Sequence, residues 1–406
     1  MNHARPPRPR SLLRHRGEAG DGRVGMIELF FDLVFVFAVT QLSHTLLADL
    51  SARTALQVGL LLLGVWWVWI YTSWVTNWLD PDRLPVRVCL FALMLAGLVM
   101  SVSLPKAFAE RGLAFAAAYV AMQVGRTLFA LWAVRGESHA RVRNFQRILA
   151  WLGFAGVFWI AGALAEGDAR LALWATALAA EICAPALYFR VPGLGRSTLA
   201  DWDVDGAHMA ERCALFIIIA LGESLLVSGA TFAASNWTAA TVAAFAVAFI
   251  GSVAMWWLYF DKGEHAGVHR ITHAADPGRH ARAAYTYLHL PIVAGIIVGA
   301  VSDELVLAHP DHATDAGIAV TIGGPFLYLL GLGAFKWISN DRPLPPLSHI
   351  VGLVLLAALT LPAFAHLLSA LALAAAVCGV LVFVAVWEHV SLRGPQAPAP
   401  AGAHGH

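Results

Sequence analysis

Twelve windows of about 20 residues, each dominated by apolar side chains, recur along the 406-residue chain. At ~1.5 Å per residue, one such window is long enough to cross the hydrocarbon core of a bilayer as a helix. They fall near 27–47, 55–76, 86–104, 112–134, 146–165, 170–189, 208–230, 239–260, 282–301, 317–337, 348–367 and 370–390. The last two are separated by almost nothing, so they form either a tight hairpin or one element counted twice. Composition agrees with the windows. Hydrophobic residues make up 59% of the chain and charged ones 13%, with mean hydropathy +0.67. A soluble domain carries about 25% charged residues, so this chain has too little polar surface to face water all round. The expected fold class is an all-α integral membrane protein of about twelve transmembrane helices.

Charge placement orients the chain. With the N-terminus taken as cytoplasmic, 21 lysines and arginines fall on that side and four on the other; Arg126 and Arg212 lie within spans. The positive-inside rule then places both termini in the cytoplasm and requires an even number of spans. Residues 1–25 hold six arginines and read as a disordered basic arm able to touch anionic lipid. No small-residue cleavage site follows a short apolar core, so this arm is not read as a removed signal peptide. Residues 392–406 read as a disordered Pro/Ala/Gly-rich tail.

Six windows precede the Gly/Pro/Asp-rich stretch 191–206 and six follow it, dividing the membrane part into halves at 26–190 and 207–391. Each half opens with a glutamate, Glu28 and Glu211. Each second window ends in a tryptophan cluster, "WWVWIYTSW" and "WWLYF". Six helices per half would give two parallel repeats about an axis along the membrane normal. Most of the fifteen tryptophans are expected to anchor span ends at the interface.

The motifs "ELFFDLVFVFAVTQLSH" (Glu28 to His44), "TNWLDP" (Thr76 to Pro81), "ERCALFIIIALGESLL" (Glu211 to Leu226) and "AYTYLHLPIVAGI" (Ala284 to Ile296) resemble the bacterial low temperature requirement A (LtrA) family. The resemblance covers nearly the whole chain outside the two tails. It implies a polytopic protein of the bacterial cytoplasmic membrane and carries no biochemical activity with it.

Function must therefore be read from the polar residues inside the spans, which are costly there and mark sites. From the cytoplasmic end, Asp32 lies about 8 Å deep, Arg126 and Glu181 about 12 Å, and His289 about 10 Å. Glu28, Glu211 and Arg212 sit closer to the same surface. Glu28 and Asp32 are four residues apart and share a helix face. Arg126 is the expected cation between these acids, because an unpaired guanidinium at that depth is expensive. Two readings stand: a salt-bridged lock for the bundle, or a proton or ion relay. A second layer further out holds Gln41, Glu223 and His44 on the first spans of the two halves, as a candidate gate.

One loop, "DKGEHAGVHRITHAADPGRH", spaces His265, His269 and His273 four apart, a pattern that suits either imidazole ligation of a metal or a solvated helix face. Cys89, Cys183, Cys213 and Cys378 are isolated and read as packing residues. No GxGxxG between strand and helix, P-loop, GxSxG or HExxH is present. The chain is expected to move a small solute or ion, coupled through protonatable residues, with membrane lipid as its surroundings and with neither a cofactor nor a nucleic-acid partner. The alternatives are a membrane enzyme acting on lipid or an isoprenoid through the histidine loop, and a sensor or assembly factor without flux.

Overall fold

The computed structural model describes residues 11–14, 23–198, 204–261, 282–339 and 344–391. Among these residues there are twelve helices long and apolar enough to span a membrane. They are α1 (Met26–Ala48), α2 (Ala52–Trp78), α3 (Leu84–Ser103), α4 (Gly112–Val134), α5 (His139–Leu164) and α6 (Gly167–Ala186), followed by α7 (Gly206–Ala234), α8 (Ala239–Phe260), α9 (His289–Ala308), α10 (Asp315–Ser339), α11 (Leu347–Phe364) and α12 (Ala370–Ser391). The protein is therefore an all-α polytopic membrane protein. The last two windows are two helices, joined through a tight turn in which His366 adopts a positive φ of 53°.

Local chemistry sets the helix starts. Ser51 accepts from the Thr54 amide ahead of α2, Ser138 from Arg141 ahead of α5, and Asp205 from Ala207 and His208 ahead of α7. Each bond satisfies an amide that the first turn leaves without a helical partner. Pro85 sits in the first turn of α3, where a missing N–H costs nothing. The described part of the linker turns sharply, with Gly193 and Gly195 at φ of +79° and +77°, a region that side chains disfavour.

Packing neighbours are largely those within each half. In the first half α1 meets α2 and α3, and the chain then packs sequentially from α3 to α6; in the second, α7 meets α8 and α9, and packing again runs sequentially from α9 to α12. The halves meet where α1 and α2 touch α7 and α9. Helix α2 is the pillar of this arrangement: 83% of its membrane window is buried, and it touches α1, α4, α6, α7 and α9.

Seven of the fifteen tryptophans depart from the expectation of interfacial anchoring. Trp66, Trp67 and Trp69 are at most 1% exposed, Trp159 and Trp174 are fully buried, and Trp74 and Trp78 are buried too. They fill the middle of the bundle rather than anchoring its rim. An indole is the largest apolar body available and it brings one N–H, which finds a partner in Trp66, Trp69, Trp74, Trp159 and Trp174 but has none among the described residues in Trp67. Trp66 Nε1 donates to the Thr286 carbonyl at 2.7 Å, and Trp74 Nε1 to its hydroxyl at 3.1 Å. Thr286 lies in a π-helical turn, Arg282–Tyr287, that leads into α9. Tyr287 in the same turn donates to the Ile182 carbonyl of α6 at 3.0 Å. The turn therefore stitches the start of α9 to the first half.

The closest helix pair is α9 and α10. A Cβ on Gly295 would lie 2.6 Å from the Tyr328 amide nitrogen, and one on Gly324 would lie 2.7 Å from the Gly299 amide nitrogen. Only glycine permits such backbone approach, the main device for helix association where lipid supplies no hydrophobic drive. Gly324→Val is therefore expected to lower stability by about 1–3 kcal/mol through overpacking against backbone. Gly323→Ala, next to it with open space at its Cβ, should be silent. Thermal unfolding in detergent that ranks the two variants equally would rule out this packing.

Candidate functional site

The two acids that open α1 lie at the junction of the halves. Glu28 and Asp32 are fully buried, as are Arg212 and His208 from the first turns of α7. Arg212 Nη2 donates to Asp32 Oδ1 at 2.6 Å, and Arg212 Nη1 lies 3.4 Å from Glu28 Oε1. The guanidinium also sits 5.7 Å from the Trp69 ring centroid, a cation–π distance. Trp69 Nε1 donates to the same Asp32 oxygen at 2.7 Å. A single arginine of the second half thus spans both acids of the first.

Glu28 has three further partners, of which the Gly25 amide donates to its Oε2 at 2.9 Å. Arg14, from the segment preceding α1, reaches its Oε2 at 2.6 Å and donates through Nε to the Thr76 carbonyl at 2.8 Å. His208 Nε2 lies 3.0 Å from Glu28 Oε1. The tautomer follows from the other ring nitrogen. Asn77 is held in both senses by the Asp205 backbone, donating to its carbonyl at 2.8 Å and accepting from its amide at 3.0 Å. Its second amide hydrogen then faces His208 Nδ1 at 3.2 Å. Nδ1 accepts, which puts the proton on Nε2, facing Glu28, and Arg14 Nη2 lies 3.1 Å from the same Nε2.

Charge balances in this cluster: two carboxylates, two guanidiniums and a neutral imidazole. Hydrogen bonding does not close as neatly. Asp32 Oδ2 and Arg212 Nε have no hydrogen-bond partner among the described residues. A buried cluster that balances charge but leaves donors and acceptors unmatched is poorly designed as a lock, since each orphaned group costs free energy.

One family model matches most of the chain. The model of the bacterial low temperature requirement A protein (LtrA) matches residues 23–386. The chain belongs to the LtrA family. It is 44% identical over 368 residues to an uncharacterized protein of Rhizobium meliloti (strain 1021), covering 90% of this chain and 89% of that one. No solved structure matches it.

Within this LtrA chain, the expected partner of the acids is wrong. Arg126 is buried but makes no direct ion pair among the described residues. It donates to Gln123 Oε1 at 2.5 Å, Thr72 Oγ1 at 3.1 Å and the Val68 carbonyl at 3.2 Å, over the Tyr71 ring. Glu181 is one residue further along this chain of bonds. It accepts from Gln123 at 2.8 Å, Tyr119 at 2.7 Å and Trp159 at 2.9 Å. Arg126 and Glu181 therefore form a network internal to the first half, with Gln123 as the bridge. Asp32, Arg126 and Glu181 share a depth without sharing a site.

His289 stands apart as well. Its Nδ1 donates to the Ala284 carbonyl at 2.9 Å, and its Nε2 accepts from Tyr259 Oη at 2.8 Å. Both nitrogens are used within one aromatic nest, which reads as structural. Glu211 accepts from the Val24 amide at 3.1 Å and closes the junction at its edge. In the outer layer Glu223 pairs with the Thr40 hydroxyl, linking α7 to α1. Neither Gln41 nor His44 joins that pair, and His44 is exposed on the outside of the bundle. The expected gate shrinks to Thr40 and Glu223. His265, His269 and His273 lie outside the described residues; among the described ones no metal-binding group of histidines, cysteines and acids occurs.

Two buried polar residues escaped the sequence reading. His208 lies in the same helix turn as Arg212, which was a sufficient signal. Lys336 was counted as a loop cation, yet it is buried, with Nζ 2.7 Å from both Glu388 oxygens and 2.6 Å from the Leu258 carbonyl.

Arg212→Leu is expected to cost about 3–5 kcal/mol, because it strands two buried carboxylates. Arg126→Leu breaks only neutral partners and should cost about 1–3 kcal/mol. Thermal unfolding of both variants, with Arg212→Leu/Asp32→Leu recovering part of the larger loss, checks the assignment; an equal cost for the two arginines would refute it.

Proposed function

We propose that this chain is a proton- or ion-coupled transporter of a small solute in the bacterial cytoplasmic membrane, with both termini in the cytoplasm. One observation carries the reading. The charge cluster of Glu28, Asp32, Arg212 and His208, completed by Arg14, is shared between the two halves, neutral in sum and incompletely hydrogen-bonded. Coupled transporters place protonatable groups where two bundles meet, so that rocking of one against the other exposes them to each side in turn.

Protonation of Asp32 removes one charge from the cluster and releases its hold on Arg212, which then has Glu28 alone as its acid. The halves are free to separate at the acids while the Thr286 turn holds them at the centre. Arg14 is the latch on the cytoplasmic side, because it ties Glu28 to the end of α2 through Thr76. The recurrence of the same neighbours in each half supports two six-helix units as the moving bodies, and the 21-to-4 charge bias supports the orientation.

The test is Asp32→Asn, which keeps the shape and mimics the protonated acid. Proteoliposomes loaded with a pH-sensitive dye are challenged with pooled small solutes from a bacterial extract, fractionated until one drives a pH change. Expected is a solute-dependent proton flux in the wild type that Asp32→Asn abolishes while the variant stays folded. A flux that survives Asp32→Asn with unchanged pH dependence would reduce the cluster to structural glue.

A further inference from the structure

The second half holds a cavity that lies away from the junction. It is a small, partly open cavity of about 40 Å³ between α8, α9, α10 and α12, with Asp303, Ser302, Ser252 and Thr321 among mostly apolar walls. Asp303 of α9 lines it and has no hydrogen-bond donor among the described residues. It lies fourteen residues beyond His289, about 21 Å along the helix, and about 8 Å from the helix end at Ala308. That places it near the side of the membrane opposite the basic arm.

The other oxygens around the cavity are hard, neutral donors. Ser302 Oγ donates to Thr321 Oγ1 at 2.8 Å, which leaves oxygen lone pairs on both hydroxyls. Ser252 lines the cavity from α8. Pro325 lies inside α10 and lines the cavity too. Proline has no N–H, so the Thr321 carbonyl four residues earlier loses its helical donor. In a membrane a freed carbonyl is tolerated where it lines a cavity. The space is also kept open by sequence: a Cβ on Gly251 or Gly299 would meet nothing within 4 Å.

One carboxylate among neutral oxygens carries a single negative charge. A divalent ion would leave a net charge in a low-dielectric site, whereas one unit of positive charge leaves none. We propose that Asp303 and these oxygens form a binding site for one monovalent cation, a proton or a sodium ion, entered from the side opposite the basic arm. Cys378 is the other titratable group on the cavity wall. Elsewhere on the four helices, the described titratable groups are Tyr259 on α8, His289 and Glu304 on α9, Asp315, Tyr328 and Lys336 on α10, and Glu388 and His389 on α12. Tyr328 donates to the Met255 carbonyl, and Lys336 is paired with Glu388. No arginine, lysine or histidine among the described residues lines the cavity to hold Asp303 ionised.

Dicyclohexylcarbodiimide tests this on the purified full-length protein, because it adds to protonated carboxyls that are reached through apolar surroundings. Peptide mass spectrometry should find the adduct on Asp303, increasing as pH falls. The adduct should be lost in Gly251→Leu, which fills the cavity and keeps the acid; Gly299→Ala, a smaller filling, should reduce it if Gly251→Leu does not fold. Sodium replacing choline at fixed pH identifies the ion: protection means sodium, and labelling indifferent to sodium means a proton site. Failure to label Asp303 at any pH while other carboxylates react would overturn the proposal, as would equal labelling in folded Gly251→Leu. The Asp32→Asn variant should label at Asp303 as the wild type does, so this site and the junction can fail separately.

Discussion

A guanidinium with no exposure holds the two halves of this molecule together: Arg212 of α7 lies between Asp32 and Glu28 of α1. Bringing three charges out of water is expensive, and the attraction among them repays it only when each is well placed. The surroundings are arranged around that demand. Trp69 supplies an N–H to Asp32 and a ring face to Arg212; His208 is fixed in the tautomer that donates to Glu28; Asn77 fixes His208 and is itself fixed by the Asp205 backbone. Helix α2 is tryptophan-rich and buried on nearly every side because it furnishes this lining to both halves.

What could be read from the sequence follows from what a bilayer dictates. Membrane thickness sets span length, so twelve windows became twelve helices, and Glu28 with Asp32 stood out because ionised groups are rare in such windows. Depth is also legible, since rise per residue is fixed. Azimuth and neighbour are not. Arg126 and Asp32 lie at similar depth, but Arg126 faces Gln123 and Thr72 within the first half. Low hydropathic asymmetry explains the failure: these helices are apolar on all sides, so no stripe marks which face meets which helix. The same blindness sent the tryptophans to the membrane rim and the Lys336 ammonium to a loop. Asp303 was missed for a different reason. It stands near a span end, where a carboxylate looks like the start of a loop, and only the four enclosing helices show that it faces a cavity.

The junction and the Asp303 cavity are connected through α9. The π-helical turn before α9 hangs on Trp66 and Trp74 of the first half, and α9 then runs past the junction to Asp303. Backbone contacts at Gly295, Gly299 and Gly324 bring α9 and α10 into direct main-chain contact along part of their length. Packed interiors are bistable rather than continuously deformable, so such a pair moves as one body. Any change of angle at the Arg212 junction must therefore be carried by α9 and α10 together, and the walls of the Asp303 cavity contributed by α8 and α12 then shift relative to it. A coupling of this kind needs a two-state element that both sites bias. The α9–α10 pair connects the two places: one end is tied to the first half by the hydrogen bonds of Trp66 and Trp74 to Thr286, and the other supplies Asp303, Ser302 and Thr321 to the cavity.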